Sequence, residues 1–254
     1  MGLLDGKTCI VTGAAGSLGL ASAELLLREG ANVMLVDRVA TELQQAARRL
    51  ASYDGRMAIH CADVADSAAT VGYVGATAEK WGGIDVLFCN AGISGAIAPV
   101  TEYPDEMFDR VMAVNVRGPF LGCKHALPKM RDGGSIIITS SVVGVTSDPF
   151  ICAYATSKHA VIGLMRTVAK EAAPRGIRVN IVAPGPIDND FQKSIETDLS
   201  RAIGTDATQL LDGFIPLGRH GTAEEIGRMV VYLASDLSSF STGGVFMVDG
   251  GMHI

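Results

Sequence analysis

The stretch Thr12-Gly13-Ala14-Ala15-Gly16-Ser17-Leu18-Gly19 decides how this chain folds. It follows the apolar run 8–12, which predicts a buried strand, and it opens the amphipathic stretch 18–29, which predicts a helix. Glycines let the backbone turn sharply and approach a pyrophosphate. The start of the helix then offers free N–H groups and a positive dipole end. Between a first strand and a first helix, this turn predicts a dinucleotide-binding α/β fold.

An acidic residue, Asp37, stands at the end of the next apolar run, 32–37. A carboxylate there accepts hydrogen bonds from both ribose hydroxyls of an adenosine and repels a 2′-phosphate. We therefore predict NAD(H) rather than NADP(H) as the cofactor. The neighbouring Arg38 is able to bind a phosphate and leaves some use of NADP open. The structural alternative is a surface aspartate that caps the following helix.

Apolar runs alternate with helical patterns along the rest of the chain. Further strands are predicted at 58–61, 86–89, 135–140, 178–182 and 245–248, and further helices at 41–53, 65–81 and 153–173. Continuous apolar runs indicate strands buried on both faces, so the alternation predicts a Rossmann-like, doubly wound parallel sheet of about seven strands with helices on both faces. Residues 1–254 are expected to form a single domain. The polar, weakly helical stretch 188–213 breaks the rhythm, as a mobile substrate lid would.

Composition excludes several classes of function. With 254 residues, 48% of them hydrophobic, the chain has enough apolar side chains for a sizeable core. Its net charge of -6 is spread along the sequence without a basic stripe, which argues against a nucleic-acid partner. No run of apolar residues is long enough to span a membrane. Five scattered cysteines, and an N-terminus without a signal-peptide pattern, predict a reducing, cytoplasmic location. The five histidines are isolated in the sequence, so we expect no metal site.

The pair Tyr154 and Lys158 carries the predicted chemistry. A spacing of four places both side chains on one face of a helix. A cation about 4 Å from a phenol favours phenolate by roughly 4 kcal/mol at an effective dielectric near 20. We therefore expect Lys158 to lower the pKa of Tyr154 toward neutral pH, where Tyr154 works as an acid or base. Ser141, upstream of the pair, ends another apolar run. By itself Tyr-x-x-x-Lys is usually a solvated surface pair, and its weight here comes from the rest of the chain.

Together these features resemble the short-chain dehydrogenase/reductase family, in its small single-domain branch, over essentially the whole chain. The glycine turn is similar to the family's Thr-Gly-x-x-x-Gly-x-Gly, with Ser17 where the middle glycine is usual. Cys89 stands in the place of the first Asn in an Asn-Asn-Ala-Gly motif. The resemblance implies that the cofactor is bound by Gly13, Gly16, Ser17, Leu18, Gly19, Asp37, Asp63, Val64, Asn90, Ala91, Gly92, Tyr154, Lys158, Pro184, Gly185 and Ile187.

The resemblance also implies reversible hydride transfer between NAD and a carbinol carbon. Tyr154 would take the alcohol proton, and Ser141 would hold the substrate oxygen. Lys158 would lower the pKa of Tyr154 and bind the nicotinamide ribose. Asn115, in Val114-Asn115-Val116, matches the family's catalytic asparagine and would position a water that links Lys158 to solvent. Read from the residues alone, Asn115 is equally a buried amide that bends a helix.

The expected substrate positions are mostly apolar: Ile93, Ser94, Val143 and Phe150. Without a cluster of Lys or Arg near them, a neutral secondary alcohol or ketone, hydrophobic or cyclic, is the predicted substrate. A 3-oxoacyl-thioester (acyl carrier protein) reductase shares the same residues, and Asp37 disfavours it if that role needs NADPH. A catalytically idle NAD-binding sensor is the alternative from another class.

The family commonly assembles as a homotetramer through the helices that carry Asn115 and Tyr154 and through the last strand. An apolar face on the Tyr154 helix fits that interface and fits core packing equally well. It consists of Val161, Ile162, Met165 and Val168.

Overall fold

A computed structural model describes residues 2–53 and 55–254. One parallel sheet runs through it in the order β3-β2-β1-β4-β5-β6-β7. The strands are β1 (Thr8–Thr12), β2 (Asn32–Asp37), β3 (Met57–Cys61), β4 (Ile84–Cys89), β5 (Met130–Thr139), β6 (Arg178–Pro184) and β7 (Val245–Val248). The helices are α1 (Ser17–Arg28), α2 (Ala40–Arg49), α3 (Ser67–Trp81), α4 (Asp105–Met112), α5 (Gly118–Ala126), α6 (Cys152–Ala172), α7 (Asp190–Ile203), α8 (Ala207–Phe214) and α9 (Ala223–Ala234). The predicted doubly wound sheet is confirmed.

Two hydrophobic cores lie on the two faces of the sheet, because side chains alternate across a strand. In β1, Ile10 packs into the core beneath α3, α5 and α6, whereas Cys9 and Val11 pack beneath α1, α2 and α9. The apolar face of α6 that includes Val161 and Met165 belongs to the first of these cores, and both side chains are fully buried. Core packing within the chain, rather than contact with a second chain, therefore explains that face.

The order of the strands creates a crevice between β1 and β4. From β1 the chain winds outward to β2 and β3, and then it crosses back to β4 and winds toward β7. Loops that leave the carboxyl ends of β1 and β4 diverge to opposite faces of the sheet, and ligands of such sheets bind at this switch point. The glycine turn follows β1, so the fold places it at the crevice.

Two boundaries differ markedly from the sequence-based prediction. Strand β5 begins at Met130, opposite Ile84, because a register shift after this first pair absorbs the polar, glycine-containing residues that follow. The helix predicted at 41–53 ends as α2 at Arg49, before a single 3₁₀ turn at Ala51–Tyr53.

The expectation that 188–213 is only weakly helical is wrong. Helices α7 and α8 occupy this segment, and side chains cap both of them: Asn189 accepts the backbone N–H of Gln192, and Asp206 accepts that of Gln209. Gly204 ends α7 in the left-handed conformation at φ 69°, where a side chain would be strained. Caps of this kind satisfy the free backbone groups of helix ends, so a polar sequence still forms two defined helices.

Among the helices of residues 2–53 and 55–254, none has the length and apolar character to cross a bilayer.

Candidate active site

The glycine turn after β1 is packed against the loop after β4. Gly13 has φ 65°, and a Cβ there would lie 2.8 Å from the Cα of Ala91. At Gly19 a Cβ would lie 2.1 Å from the carbonyl oxygen of Gly13. Gly16 is the extended N-cap of α1, and Ser17 is the first residue of the helix. A serine therefore replaces the usual middle glycine without backbone strain.

The carboxylate of Asp37 faces this turn from the end of β2. It accepts the backbone N–H of Ala15 at 3.0 Å through one oxygen and that of Arg38 at 2.7 Å through the other. These bonds orient a negative charge at the rim of the crevice, as the sequence predicted for an adenosine site. Arg38 and Glu42 line the same end of the crevice.

Reciprocal hydrogen bonds join β1 to β4 beneath the turn. The hydroxyl of Thr12 accepts the backbone N–H groups of Asn90 and Ala91 at 3.0 and 3.2 Å. The Asn90 amide donates back to the carbonyl oxygens of Thr12 and Gly13 at 3.2 and 3.3 Å. Thr139 of β5 donates its hydroxyl to the Asn90 oxygen at 3.3 Å. One amide thus ties three strand ends together, and Cys89 in place of the first motif Asn leaves these bonds intact.

Asn115 lies in a π-helical turn, Ala113–Arg117, between α4 and α5. Its amide oxygen accepts the N–H of Ile93, and its amide nitrogen donates to the carbonyl of Ile93, each at 2.9 Å. The same nitrogen donates to the hydroxyl of Ser157 at 3.0 Å, and Ser157 donates to the carbonyl of Tyr154 at 2.7 Å. The buried amide therefore fixes the substrate-side loop and the first turn of α6 against each other.

Tyr154, Lys158 and Ser141 meet at the inner end of the crevice. Tyr154 and Ser141 share a hydrogen bond. The Lys158 ammonium lies 5.4 Å from the centre of the Tyr154 ring and donates to the carbonyl of Thr139 at 3.0 Å. Sequence spacing predicted this juxtaposition.

The electrostatics of the pair differ from the prediction. Desolvation raises the pKa of Tyr154 to about 12, and the bond with Ser141 offsets it only in part. Burial lowers the pKa of Lys158 to about 8. In this structure the expectation that Lys158 lowers the pKa of Tyr154 is therefore wrong. The physical reason is that the ammonium lies over the ring face and bonds to Thr139, while the phenol is desolvated.

A cavity of about 700 Å³ joins the two ends of the site. Almost every residue that the sequence predicted for cofactor or substrate lines it. These are Gly13, Gly16, Ser17, Leu18, Asp37, Asp63, Val64, Asn90, Ala91, Gly92, Ile93, Ser94, Ser141, Val143, Phe150, Tyr154, Lys158, Pro184, Gly185 and Ile187. Gly19 and Asn115 lie behind the wall and hold it in shape.

Sequence reasoning placed a substrate lid at 188–213 and Phe150 at the substrate, but it identified neither the apolar residues that form the roof of this cavity nor the strained backbone of Phe150. The roof is the apolar face of α7 and α8, whose lining residues are Phe191, Ile195, Leu199, Ile203, Leu210, Leu211 and Phe214. The four on α7 recur every fourth position, a helical signal that the intervening charged residues concealed. Phe150 has φ 73°, and its carbonyl accepts the N–H of Ala98 at 3.0 Å.

Comparison with known proteins identifies the family. A family profile described as enoyl-(acyl carrier protein) reductase matches residues 13–253. A 3-oxoacyl-[acyl-carrier-protein] reductase of Thermotoga maritima is 38% identical, with 99% of each chain covered. A solved structure of levodione reductase superposes with a TM-score of 0.94 at 35% identity over 98% of each chain. The chain belongs to the short-chain dehydrogenase/reductase family.

A second solved structure extends the likeness. NAD⁺-bound xylitol dehydrogenase matches this short-chain dehydrogenase/reductase with a TM-score of 0.92 at 35% identity, over 98% of this chain and 99% of that one. The match covers the crevice and both faces of the sheet, so the oxidoreductase fold is shared as a whole.

We predict that Ser157→Ala lowers turnover about tenfold while leaving cofactor affinity within about twofold. The change removes the buried acceptor of the Asn115 amide and the donor to the Tyr154 carbonyl. An unpaired buried N–H costs about 1–3 kcal/mol of stability. Steady-state kinetics and a cofactor titration measure both effects. Thr167→Ala is the control, since it removes an exposed hydroxyl from the same helix. Wild-type turnover in Ser157→Ala would contradict the prediction.

Lys158→Met is expected to abolish turnover without lowering stability at pH 7. Because the pKa of Lys158 falls from 10.5 to about 8 on folding, its charge destabilises the fold by on the order of 3 kcal/mol. That penalty is complete below pH about 8, and it fades as the pH rises toward the unfolded value. The stability gain of the variant should shrink over the same range.

Calorimetry between pH 7 and 10 measures this difference, and a gain that grows with pH would be inconsistent with it. Lys170→Met, on the exposed side of α6, is the matched control and should change neither stability nor turnover.

Proposed function

We propose that this enzyme transfers hydride between NAD and a neutral, hydrophobic or cyclic secondary alcohol or ketone, with Tyr154 as general acid and base. One observation carries the proposal. The cavity continues from the Asp37 carboxylate, past the glycine turn, to a phenol that is bonded to Ser141 and stands beside Lys158.

The residues present fit a dinucleotide. Added Cβ atoms at Gly13 and Gly19 would collide with backbone of the loop after β4 and of the turn itself, so these glycines allow the tight turn that a bound pyrophosphate requires. Helix α1 opens at Ser17 beneath that approach and offers its free N–H groups to phosphates. Asp37 would hold the adenosine ribose, and Gly185 with Ile187 would border the nicotinamide. Asp63 and Val64 would border the adenine.

A bound oxidised nicotinamide would supply the hydride acceptor and a positive charge beside the phenol. Tyr154 takes the proton of the substrate hydroxyl, and in the reverse direction it returns that proton to the ketone oxygen. Ser141 donates a hydrogen bond to the same oxygen and holds it against Tyr154. Lys158 remains mostly protonated at pH 7, given its pKa of about 8, and its ammonium would bind the nicotinamide ribose.

Asn115 has a mainly structural part in this mechanism. Its side chain is bonded to Ile93 and Ser157, so it holds the first turn of α6 in place. A water near its backbone would complete the proton path from Lys158 to solvent, as the family resemblance implies.

The apolar roof supports a hydrophobic substrate. The charged side chains of α7, such as Lys193 and Asp198, are paired on its outer side. The inner side carries Ile195 and Leu199. Levodione reductase and xylitol dehydrogenase, by their names, act on small carbonyl or hydroxyl compounds. We propose that α7 and α8 form the substrate lid, which extends to Phe214 rather than to residue 213.

A 3-oxoacyl-thioester reductase is the second candidate. The 38% identity to the Thermotoga maritima reductase favours it, and an apolar roof also suits an acyl chain. Asp37 argues against it if the cofactor of that reaction is NADPH.

We also propose a homotetramer. Phe120 on α5 and Phe240 before β7 are exposed large apolar side chains, which suits contacts through the Asn115 helix region and the last strand.

Tyr154→Phe should reduce turnover by about 10³-fold or more and leave NAD binding unchanged, since only the proton-transferring hydroxyl is lost. The measurement is an NAD-linked absorbance screen over secondary alcohols and ketones, sorted by ring, chain length and charge, with an acyl thioester included. Tyr53→Phe, remote from the cavity, is the control. Full activity of Tyr154→Phe, or no turnover of any compound by the wild type, would overturn the proposal.

Replacing Asp37 with Ala tests the choice of cofactor. The ratio of kcat/KM for NAD to that for NADP should fall about tenfold to a hundredfold, because charge-assisted bonds to the ribose are lost and repulsion of a 2′-phosphate ends. Glu24→Gln removes a carboxylate from the exposed side of α1 and should leave the ratio unchanged. An unchanged ratio of the two kcat/KM values in Asp37→Ala would contradict the assignment of NAD.

A further inference from the structure

His220 lies between the two lid helices with carboxylates on both sides of its ring. Its Nδ1 is 2.7 Å from an oxygen of Asp212 on α8, and its Nε2 is 2.7 Å from an oxygen of Glu196 on α7. The imidazole is only 11% exposed, and Glu196 is more deeply buried still. One side chain outside the lid therefore holds both of its helices.

The cluster extends from His220 to the cavity wall. Gln192 donates its amide to the same Glu196 oxygen that faces the ring, at 2.9 Å, and Gln192 lines the cavity. Thr208 of α8 donates its hydroxyl to the other oxygen of Glu196 at 2.5 Å. Two bonds thus separate the imidazole from the proposed substrate space.

The backbone next to His220 is fixed to the segment after β6. Gly221 donates its N–H to the carbonyl of Pro186 and accepts the N–H of Asp188, each at 2.9 Å. Ile187, between those two residues, lines the cavity at the proposed nicotinamide end. His220 therefore connects the lid to a wall of the cofactor site.

The number of protons on the ring decides whether both carboxylates are satisfied. A neutral imidazole has one N–H donor and one lone pair, whereas an imidazolium has two donors. Two ionised carboxylates at 2.7 Å each need a donor. Loss of the ring proton would turn one of the two contacts into a repulsion between a lone pair and a carboxylate.

We propose that protonated His220 is a positioning residue for the substrate lid: it clamps α7 and α8 to the segment that borders the nicotinamide, and its deprotonation releases the lid. The role of the lid in binding substrate rests on the proposed function, whereas the clamp itself does not. Lid opening and closing would then follow pH, and this motion would act on KM before it acts on the chemical step.

The surroundings of the ring set the direction of this response. Burial disfavours the charged ring, but the hydrogen bonds to Glu196 and Asp212 outweigh it, so the pKa of His220 lies above its usual value. Arg219, the adjacent cation, is paired with Glu225 of α9. On α7 the ammonium of Lys193 is paired with Asp188. The clamp is therefore complete below pH about 6.5, the value of a free histidine, and it weakens as the pH rises through the higher pKa of the folded protein.

Amide hydrogen exchange of the whole enzyme, read by mass spectrometry at pH 6 and pH 9, tests the clamp. Peptides from α7 and α8 should exchange about tenfold faster in His220→Asn than in the wild type at pH 6, and alike at pH 9. Comparing the two proteins at one pH removes the intrinsic pH dependence of exchange. Asp198→Asn is the control, since it removes an exposed lid carboxylate paired with Arg201 and should match the wild type at both pH values.

A second variant keeps the test independent of any folding defect in His220→Asn. Asp212→Asn removes one carboxylate that raises the pKa of His220, so the loss of lid protection should move to lower pH while protection at pH 5.5 persists. Equal exchange of wild type and His220→Asn at pH 6, or a difference that is the same at pH 9, would overturn the proposal. Exchange needs no turnover, so an enzyme inactive on every alcohol and ketone would refute the proposed function and leave the clamp standing.

With any ketone that the absorbance screen identifies, the ratio of KM in His220→Asn to KM in the wild type should lie above one at pH 6 and fall toward one at pH 9. Lys158, whose pKa of about 8 lies in this range, titrates in both proteins and cancels from that ratio. A parallel rise in both proteins would contradict the assignment.

Discussion

The reciprocal hydrogen bonds between Thr12 and Asn90 join β1 to β4, the two strands at which the order of the strands reverses, and the rest of the site depends on these bonds. From these bonds the hydrogen-bond network extends in two directions. One path leads through Gly13 to the glycine turn after β1. The other follows the loop after β4 to the Asn115 amide and through Ser157 to α6. The glycine turn and α6 are therefore held in one hydrogen-bonded network rather than packed independently.

The strands could be predicted from the sequence because both faces of the sheet are buried. Strands buried in this way consist of continuous apolar runs, which are visible in the sequence. The start of β5 could not be predicted, since Met130 pairs with Ile84 of β4 and the polar residues that follow Met130 give no sign of a strand. Helices α7 and α8 could not be predicted from the sequence for a different reason. Their apolar residues face a cavity rather than a core, and their end caps act through single side chains such as Asn189.

Within the site, residue identity was predictable and electrostatics was not. Spacing and motif order located Tyr154, Lys158 and Ser141, but the pKa of a phenol depends on what surrounds it in three dimensions. Burial leaves Lys158 as a desolvated cation bonded to a backbone carbonyl, an arrangement that opposes stability. The role of Ser157 could not be predicted from the sequence either, because its hydrogen-bond partner Asn115 lies 42 positions away in the chain. The fold thus keeps a poorly solvated ammonium at the position where the proposed reaction needs a positive charge.

The π-helical turn at Ala113–Arg117 makes this region sensitive to changes in chain length. Such a turn contains one residue more than an α-helical turn, and it aims Asn115 at the loop after β4. A one-residue deletion there would restore regular helix and rotate α5 by about 100° relative to α4. Val111 and Leu121, both buried now, would then no longer face the interior together. A single lost codon would therefore erase the alignment on which the proposed active site is built.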